Sequence, residues 1–352
     1  MDHNPYRGLA ASQYWRSGVA EVGPGQFDPV TSVKFQITSR DAVSTLGSCF
    51  AQHLARHIND SGLRYMVTEP LLETEEQTEQ AAMMATQFSA RYGNIYTTRQ
   101  ALQMLDRANG WETADDVWER NGRYFDAFRP HARAGGFATI EELRDARIAH
   151  LQAVKRVFTE SDVVVFTLGL TEAWMSTMDG AVYPTAPGVI AGSQDNSRHV
   201  FQNFSYPEVL SDLLNWCQRV REMNSSVRIL LTVSPVPLNA TYMPRNVWTS
   251  TTYSKAVLRA VAGDVATELS YVDYFPSYEI VTSPQAHGKY FEDDLREVTS
   301  VGVKHVMRVF DRHYVLRDGM SDPREPTQVR AASKIGVGQK VSDVFCDEEF
   351  LD

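Results

Sequence analysis

A hydroxyl and a thiol stand side by side where a short apolar segment gives way to a helix-like run. Ser48 and Cys49 follow Gly47, and His53 comes four residues after the thiol. A helix N-terminus presents unpaired N–H groups and a positive potential, which favours the thiolate form of a cysteine there. His53 would share a helix face with Cys49 and tilt back toward it. The pattern indicates nucleophilic catalysis, with a turn around a packed cysteine and a surface histidine as the alternative.

A second polar segment follows the apolar run 163–168. Gly169 permits close backbone approach, and Thr171 and Glu172 then offer polar groups at the end of a strand. These residues are candidates for substrate binding. The alternative is a helix that is capped by Thr171 and carries Glu172 as a first-turn acid.

A third polar segment lies late in the chain. Asp294 and Glu297 precede a helix start near Thr299, and His305 falls on that helix. A carboxylate or an imidazole from this segment could act as a general base. The alternative is an acidic loop before an ordinary cap.

The elements between these segments alternate between strand and helix. Strands are predicted at 163–168 and 228–233, with a weaker one at 269–274, because these runs are apolar and rich in β-branched residues. Helices are predicted by apolar spacing at 141–157, 206–223, 254–269 and 303–314. Such alternation predicts an α/β three-layer fold with a parallel sheet, in which sites form beyond the carboxyl ends of the strands.

The chain is predicted to have one main domain with two flanking segments. Residues 1–40 form an N-terminal arm, 41–317 the α/β domain, and 318–352 an extended or partly disordered tail. Residues at about 72–140 break the strand–helix rhythm and are predicted to form a helical insertion or cap.

Composition excludes several classes of protein. The net charge of −10 argues against nonspecific nucleic-acid binding, and the nine histidines show no recognised metal-ligand spacing. There is no run of about 18 apolar residues for a membrane span and no secretory signal. The three cysteines are far apart, which suits free thiols in a reducing compartment. A cytoplasmic location is therefore expected.

The segment Gly47-Ser48-Cys49-Phe50-Ala51 resembles the signature of the GSCFA domain family, within the SGNH/GDSL hydrolase-like superfamily. Further segments resemble the family in the same order, at 92–96, 167–174, 234–238, 254–259 and 274–279. The resemblance covers roughly 35–315. It implies a flavodoxin-like α/β/α sandwich.

The resemblance also implies a nucleophile and a base. Superfamily members often have Gly-Asp-Ser after the first strand, which puts the nucleophile at Cys49 and leaves Ser48 as a neighbour that caps the helix or holds the turn. The family's late Asp-x-x-His falls on Asp294 and Glu297, so a glutamate stands where the base is expected. Glu297 could still act as the base if burial raised its pKa. His305 could replace it only if the loop folds back, and His53 is the nearer substitute.

Oxyanion donors are implied at two further blocks. The family's glycine block falls on Gly93, with Asn94 beside it. The Gly-x-Asn-Asp block begins at Gly169, so that Thr171 replaces the usual asparagine and Glu172 the aspartate.

These implications favour acyl-ester chemistry through Cys49, as hydrolysis of an O-acyl ester or as acyl transfer to a carbohydrate or related hydroxyl. The implied substrate is a small molecule or carbohydrate. No cofactor is required, and acyl-CoA is a candidate co-substrate. A cytoplasmic location would favour transfer in polysaccharide biosynthesis. The alternatives are a catalytically inactive SGNH-like binding module and a thiol redox sensor. The oligomeric state is left open.

Overall fold

A computed structural model describes residues 4–23, 25–71, 79–112 and 114–316. The tail predicted at 318–352 lies outside the described residues, as does 72–78 of the predicted insertion. The strands in chain order are β1 (Ala42–Gly47), β2 (Arg64–Tyr65), β3 (Val117–Arg120), β4 (Arg123–Asp126), β5 (Val163–Leu168), β6 (Glu172–Ser176), β7 (Val182–Tyr183), β8 (His199–Asn203), β9 (Arg228–Val233) and β10 (Val272–Tyr274). The α-helices are α1 (Phe50–Asp60), α2 (Glu79–Gln87), α3 (Thr98–Asn109), α4 (Ile140–Glu160), α5 (Tyr206–Met223), α6 (Val247–Glu268), α7 (Ser277–Thr282) and α8 (Ser300–Tyr314).

Five strands form the central sheet in the order β2-β1-β5-β9-β10, and every pairing in it is parallel. This is the flavodoxin-like strand order. The predicted α/β fold with a parallel sheet is therefore confirmed.

The middle strand β5 shows why the molecule has three layers. Val163 and Val165 belong to one apolar cluster with α1, α7 and α8. Val164 and Phe166 belong to a second cluster with α3, α4, α5 and α6. Because successive side chains of a strand point to opposite faces, a strand that is apolar throughout must be covered on both sides.

None of the helices within the described residues is long and apolar enough to cross a membrane.

Two smaller sheets depart from the sequence predictions. The region predicted as a helical insertion contains α2 and α3 but also the hairpin β3–β4, which turns at Asn121 and Gly122, both with positive φ. A three-stranded antiparallel sheet, β7-β6-β8, follows β5. Glu172 begins strand β6, so the alternative of a helix capped by Thr171 is wrong.

The end of β1 is the tightest backbone contact near the predicted site. Gly47 has φ +134°, and a Cβ placed on it would lie 2.2 Å from the carbonyl oxygen of Thr167 in β5. Both the conformation and the contact require glycine.

Replacing Gly47 should therefore lower the free energy of unfolding by far more than the cost of its positive φ alone. We expect Gly47→Ala to lower the free energy of unfolding by about 4 kcal/mol or more, measured by urea denaturation. Gly62→Ala is the matched control, because Gly62 also has positive φ (+79°) but nothing within 4 Å of the added Cβ; it should cost only about 1–2 kcal/mol. Equal costs would show that the contact with Thr167 does not matter.

Candidate active site

The carboxyl ends of β1 and β5 meet at the segment predicted to hold the nucleophile. Gly47 is the register partner of Thr167, and the Ser48 N–H donates to the Thr167 carbonyl at 3.0 Å. The Ile95 N–H donates to the Gly47 carbonyl at 2.8 Å. Loop 92–96, which holds Gly93 and Asn94, is thereby attached to the end of β1.

Two glutamines hold loop 92–96 in place. Gln52, in the first turn of α1, donates to the Asn94 side-chain oxygen at 3.1 Å. Gln100 donates to the Asn94 carbonyl at 3.1 Å and accepts from the Tyr96 N–H at 2.9 Å. Both glutamines and Asn94 are buried. The loop is therefore fixed by side-chain hydrogen bonds, with Gly93 at a positive φ of 72°.

Gly169 packs directly against the Ser48 side chain. A Cβ on Gly169 would lie 3.0 Å from the Cβ of Ser48 and 3.0 Å from the Tyr96 carbonyl oxygen. That carbonyl accepts from the Gly169 N–H at 3.2 Å. Lys255 of α6 is only 2% exposed and donates to the Gly169 carbonyl at 2.7 Å. These contacts bring the first and third predicted blocks together.

Thr171 is fully buried and lies between two polar partners. Its hydroxyl donates to the Asn203 side-chain oxygen at 2.6 Å and lies 2.7 Å from the Ser254 hydroxyl. Asn203 belongs to β8 and pairs across the small sheet with Glu172. With the Asn203 oxygen engaged, its amide group keeps two N–H donors. An asparagine is therefore present beside Thr171, although Thr171 itself replaces the family's asparagine.

Glu172 is buried beside the segment that precedes α6. Its carboxylate oxygens accept from the Thr241 hydroxyl at 2.7 and 3.0 Å. The Tyr242 N–H also points to it, at 3.4 Å. Glu172 thus anchors residues 241–242 to the start of β6.

Ser48 and Cys49 differ in how the fold uses them. The Ser48 hydroxyl is buried and makes no hydrogen bond with a described residue, so it does not cap α1. The Ser48 N–H is taken up by Thr167. Cys49 is a free thiol, 4% exposed, at the N-cap position of α1 with helical backbone angles. Its N–H belongs to the first turn, where N–H groups have no acceptor within the helix.

His53 is partly buried on α1, one turn after Cys49. Its ring lies 5.4 Å from the Phe50 ring, centroid to centroid. Burial, with a smaller contribution from nearby Arg56, lowers the pKa of His53 from 6.5 to about 4. The imidazole is therefore neutral at pH 7 and able to accept a proton.

The late predicted residues have other contacts. Asp294 and Glu297 are exposed, and the Asp294 carboxylate accepts from the Arg296 and Glu297 N–H groups at 2.9 and 3.0 Å. His305 is held by the Tyr290 hydroxyl at 2.7 Å and the Phe27 carbonyl at 2.8 Å. Among the described residues none of the three is bonded to the segments around Cys49. The same residues contain no group of three or more His, Cys, Asp or Glu arranged to hold a metal ion.

Comparison with known protein families agrees with the sequence signature. Residues 42–310 match the GSCFA family. The chain belongs to the GSCFA family. No curated protein matches this GSCFA chain.

Two solved structures are similar to the GSCFA chain at a low level. One is a carbohydrate esterase family 3 protein from Talaromyces cellulolyticus, with 12% identity, 78% of this chain and 94% of that chain covered, and a TM-score of 0.37. The other is a family 3 carbohydrate esterase from Clostridium thermocellum, with 10% identity, coverage of 78% and 94%, and a TM-score of 0.34. Similarity this low carries no argument about chemistry, which must come from the residues themselves.

The lowered pKa of His53 predicts an acid-sensitive fold. Between pH 6.5 and about 4 the unfolded chain binds a proton at this residue and the folded chain does not, so stability falls as the pH falls through that window. Between pH 7 and 4, the free energy of unfolding of His53→Gln should fall by about 3 kcal/mol less than that of wild type. Urea denaturation at pH 7, 5.5 and 4 measures this difference. His287→Gln, at an exposed position, is the control and should keep the wild-type pH dependence. A wild-type profile in His53→Gln would contradict the assignment.

Proposed function

We propose that this GSCFA protein catalyses acyl-ester chemistry through Cys49, as an esterase or acyltransferase whose substrate carries the acyl group on a carbohydrate hydroxyl. The observation that carries the proposal is the packing of Gly169 against the Ser48 side chain at the joined ends of β1 and β5. This contact gathers a thiol, a helix N-terminus and the Thr171–Asn203 pair at one edge of the sheet. Parallel sheets commonly bind ligands at that edge.

The nucleophile is Cys49, at the N-terminus of α1, once His53 has taken the proton from its thiol. Its sulfur attacks the acyl carbonyl carbon and forms a tetrahedral intermediate whose oxygen carries the negative charge. The Cys49 N–H and the Asn203 amide are the proposed donors to that oxygen. Collapse breaks the bond to the alcohol oxygen and leaves a thioester on Cys49.

His53 is the proposed proton carrier. It takes the proton from the Cys49 thiol and gives it to the departing alcohol. Water or an acceptor hydroxyl then attacks the thioester and returns a proton through His53, which restores the thiol. His53 is neutral at pH 7, so it enters the reaction in the form that accepts a proton.

The carbohydrate part of the proposal is supported by an aromatic cluster on the small sheet. The rings of Trp174, Phe201 and Tyr242 lie 4.8 to 5.9 Å apart, centroid to centroid. Tyr242 is 65% exposed, and Trp174 and Phe201 are partly exposed. The C–H faces of a pyranose ring pack well on aromatic rings. Trp174 follows Gly169 by five residues, so the cluster lies within about 18 Å of it.

The nucleophile is tested by its acyl adduct. We expect wild type mixed with an activated aryl ester to gain the mass of one acyl group, and Cys49→Ala to gain none and to lose activity by about 10³-fold or more. Cys49→Ser should also be nearly inactive, because a hydroxyl needs a stronger base than a thiol does. Ser48→Ala should lose only about 10-fold, through altered packing.

Cys217 provides the matched control for this test. It is the other free thiol of the described residues and is fully buried in the core. Cys217→Ala should keep the adduct and the activity. An adduct mapped to Ser48, or an active Cys49→Ala, would overturn the nucleophile assignment. No adduct in wild type with aryl esters or acyl-CoA would favour a binding module without catalysis.

The aromatic cluster is tested by separating large from small substrates. We expect Trp174→Ala to raise KM for an acetylated oligosaccharide by about 5-fold, since one ring contact is worth about 1 kcal/mol, and to leave hydrolysis of a small aryl ester unchanged. Trp111→Ala is the control, because Trp111 is 57% exposed and stacks on Arg219 instead. Equal effects on both substrates would show that Trp174 supports the fold and not sugar binding.

A further inference from the structure

A small cavity lies between α3, α4 and the segment after β4, and Cys49 does not line it. It has about 20 Å³ of space for the centre of a water molecule, which suits one or two waters or one compact ion. Three arginines, Arg107, Arg129 and Arg147, line the cavity together with a single carboxylate, that of Asp126. All four side chains are more than nine-tenths buried.

Asp126 is hydrogen-bonded to two of these arginines. One carboxylate oxygen accepts from Arg147 at 2.7 Å and from the Phe128 N–H at 3.1 Å. The other accepts from Arg129 at 3.2 Å. Arg129 and Arg147 also reach Glu69 and Asp115, at 3.2 and 2.6 Å. None of these hydrogen bonds involves Arg107.

Arg107 is a buried cation without a hydrogen bond to any described residue. It is 8% exposed, and its nearest carboxylate is Glu112 at 3.8 Å, too far for a hydrogen bond. Its guanidinium lies 4.0 Å from the centre of the Phe128 ring, and that of Arg147 lies 5.1 Å from the same ring. The Arg147 Nε also lacks a partner among the described residues. A buried N–H donor without an acceptor is costly.

From this arrangement we infer that the cavity binds a small inorganic anion of the size of chloride, held by Arg107 and Arg147. An anion supplies an acceptor for the unpartnered Arg107 Nη1 and Arg147 Nε. The space favours a halide over phosphate, which needs room for five heavy atoms. The inference is independent of the reaction at Cys49.

The anion would also stabilise loop 92–96 of the candidate active site. The cavity is lined by Tyr92, Ile95 and Gln100, and the last two hold loop 92–96 through hydrogen bonds to Gly47, Tyr96 and Asn94. Binding there would therefore stabilise the fold around that loop.

The test is thermal unfolding of the full chain in sodium chloride and in sodium gluconate, whose anion is too large for the cavity, at equal ionic strength. We expect Tm of wild type to rise with chloride in a saturable way, by about 4 °C. Arg107→Gln should lose that rise, because the side chain that holds the anion is gone. Arg156→Gln is the control: Arg156 is 57% exposed and pairs with Glu160, so the chloride response should persist.

A crystal of the wild-type protein soaked in sodium bromide gives a second measurement that needs no variant. We expect an anomalous peak in the cavity beside Arg107 and Arg147. Bromide only at surface sites, a chloride response retained by Arg107→Gln, or a response to phosphate but not to chloride would each overturn the inference.

Discussion

The contact between Gly47 and the backbone of Thr167 is the constraint on which the candidate active site depends. It lets the ends of β1 and β5 approach more closely than any side chain at position 47 would allow. Ser48 then continues the pairing with its N–H, and the chain turns into α1 with Cys49 at the first turn. The Gly47 carbonyl is left to hold loop 92–96. Gly47 thus positions Ser48, the first turn of α1 with Cys49, and loop 92–96.

The central sheet could be predicted from the sequence because its strands are buried on both faces. The predicted bounds of β5 and β9, 163–168 and 228–233, agree with the structure to the residue. Their apolar side chains report burial directly, without knowledge of neighbours. The predicted start of helix α6 differs from the structure. The helix begins at Val247 and not at Ser254, because Asn246 caps it and its first turns are polar. A run of apolar residues indicates burial along a whole strand, whereas the start of a helix depends on a single capping residue.

The small sheet and its contribution to the site could not be predicted in this way. Asn203 reaches Thr171 only because β8 pairs with β6, and no local pattern specifies that partner. The family motif pointed to a missing asparagine at Thr171, whereas the fold brings one from 32 residues further along. The late Asp294 shows the opposite case, since its carboxylate is used within its own turn. A motif position gives a residue's place in the chain but not the partner of its side chain.

The difference between a thiol and a hydroxyl explains how the site could work without the late histidine. A serine nucleophile depends on an adjacent base, because its hydroxyl is almost entirely un-ionised at neutral pH. Among the described residues His305 is bound elsewhere, and Glu297 is exposed. A cysteine at a helix N-terminus needs less help, since the helix favours the anionic form. In the proposed mechanism, a neutral imidazole one turn away takes up the proton of the thiol. In the proposed mechanism, the cysteine at the nucleophile position and the glutamate at the usual base position are therefore parts of one chemical change.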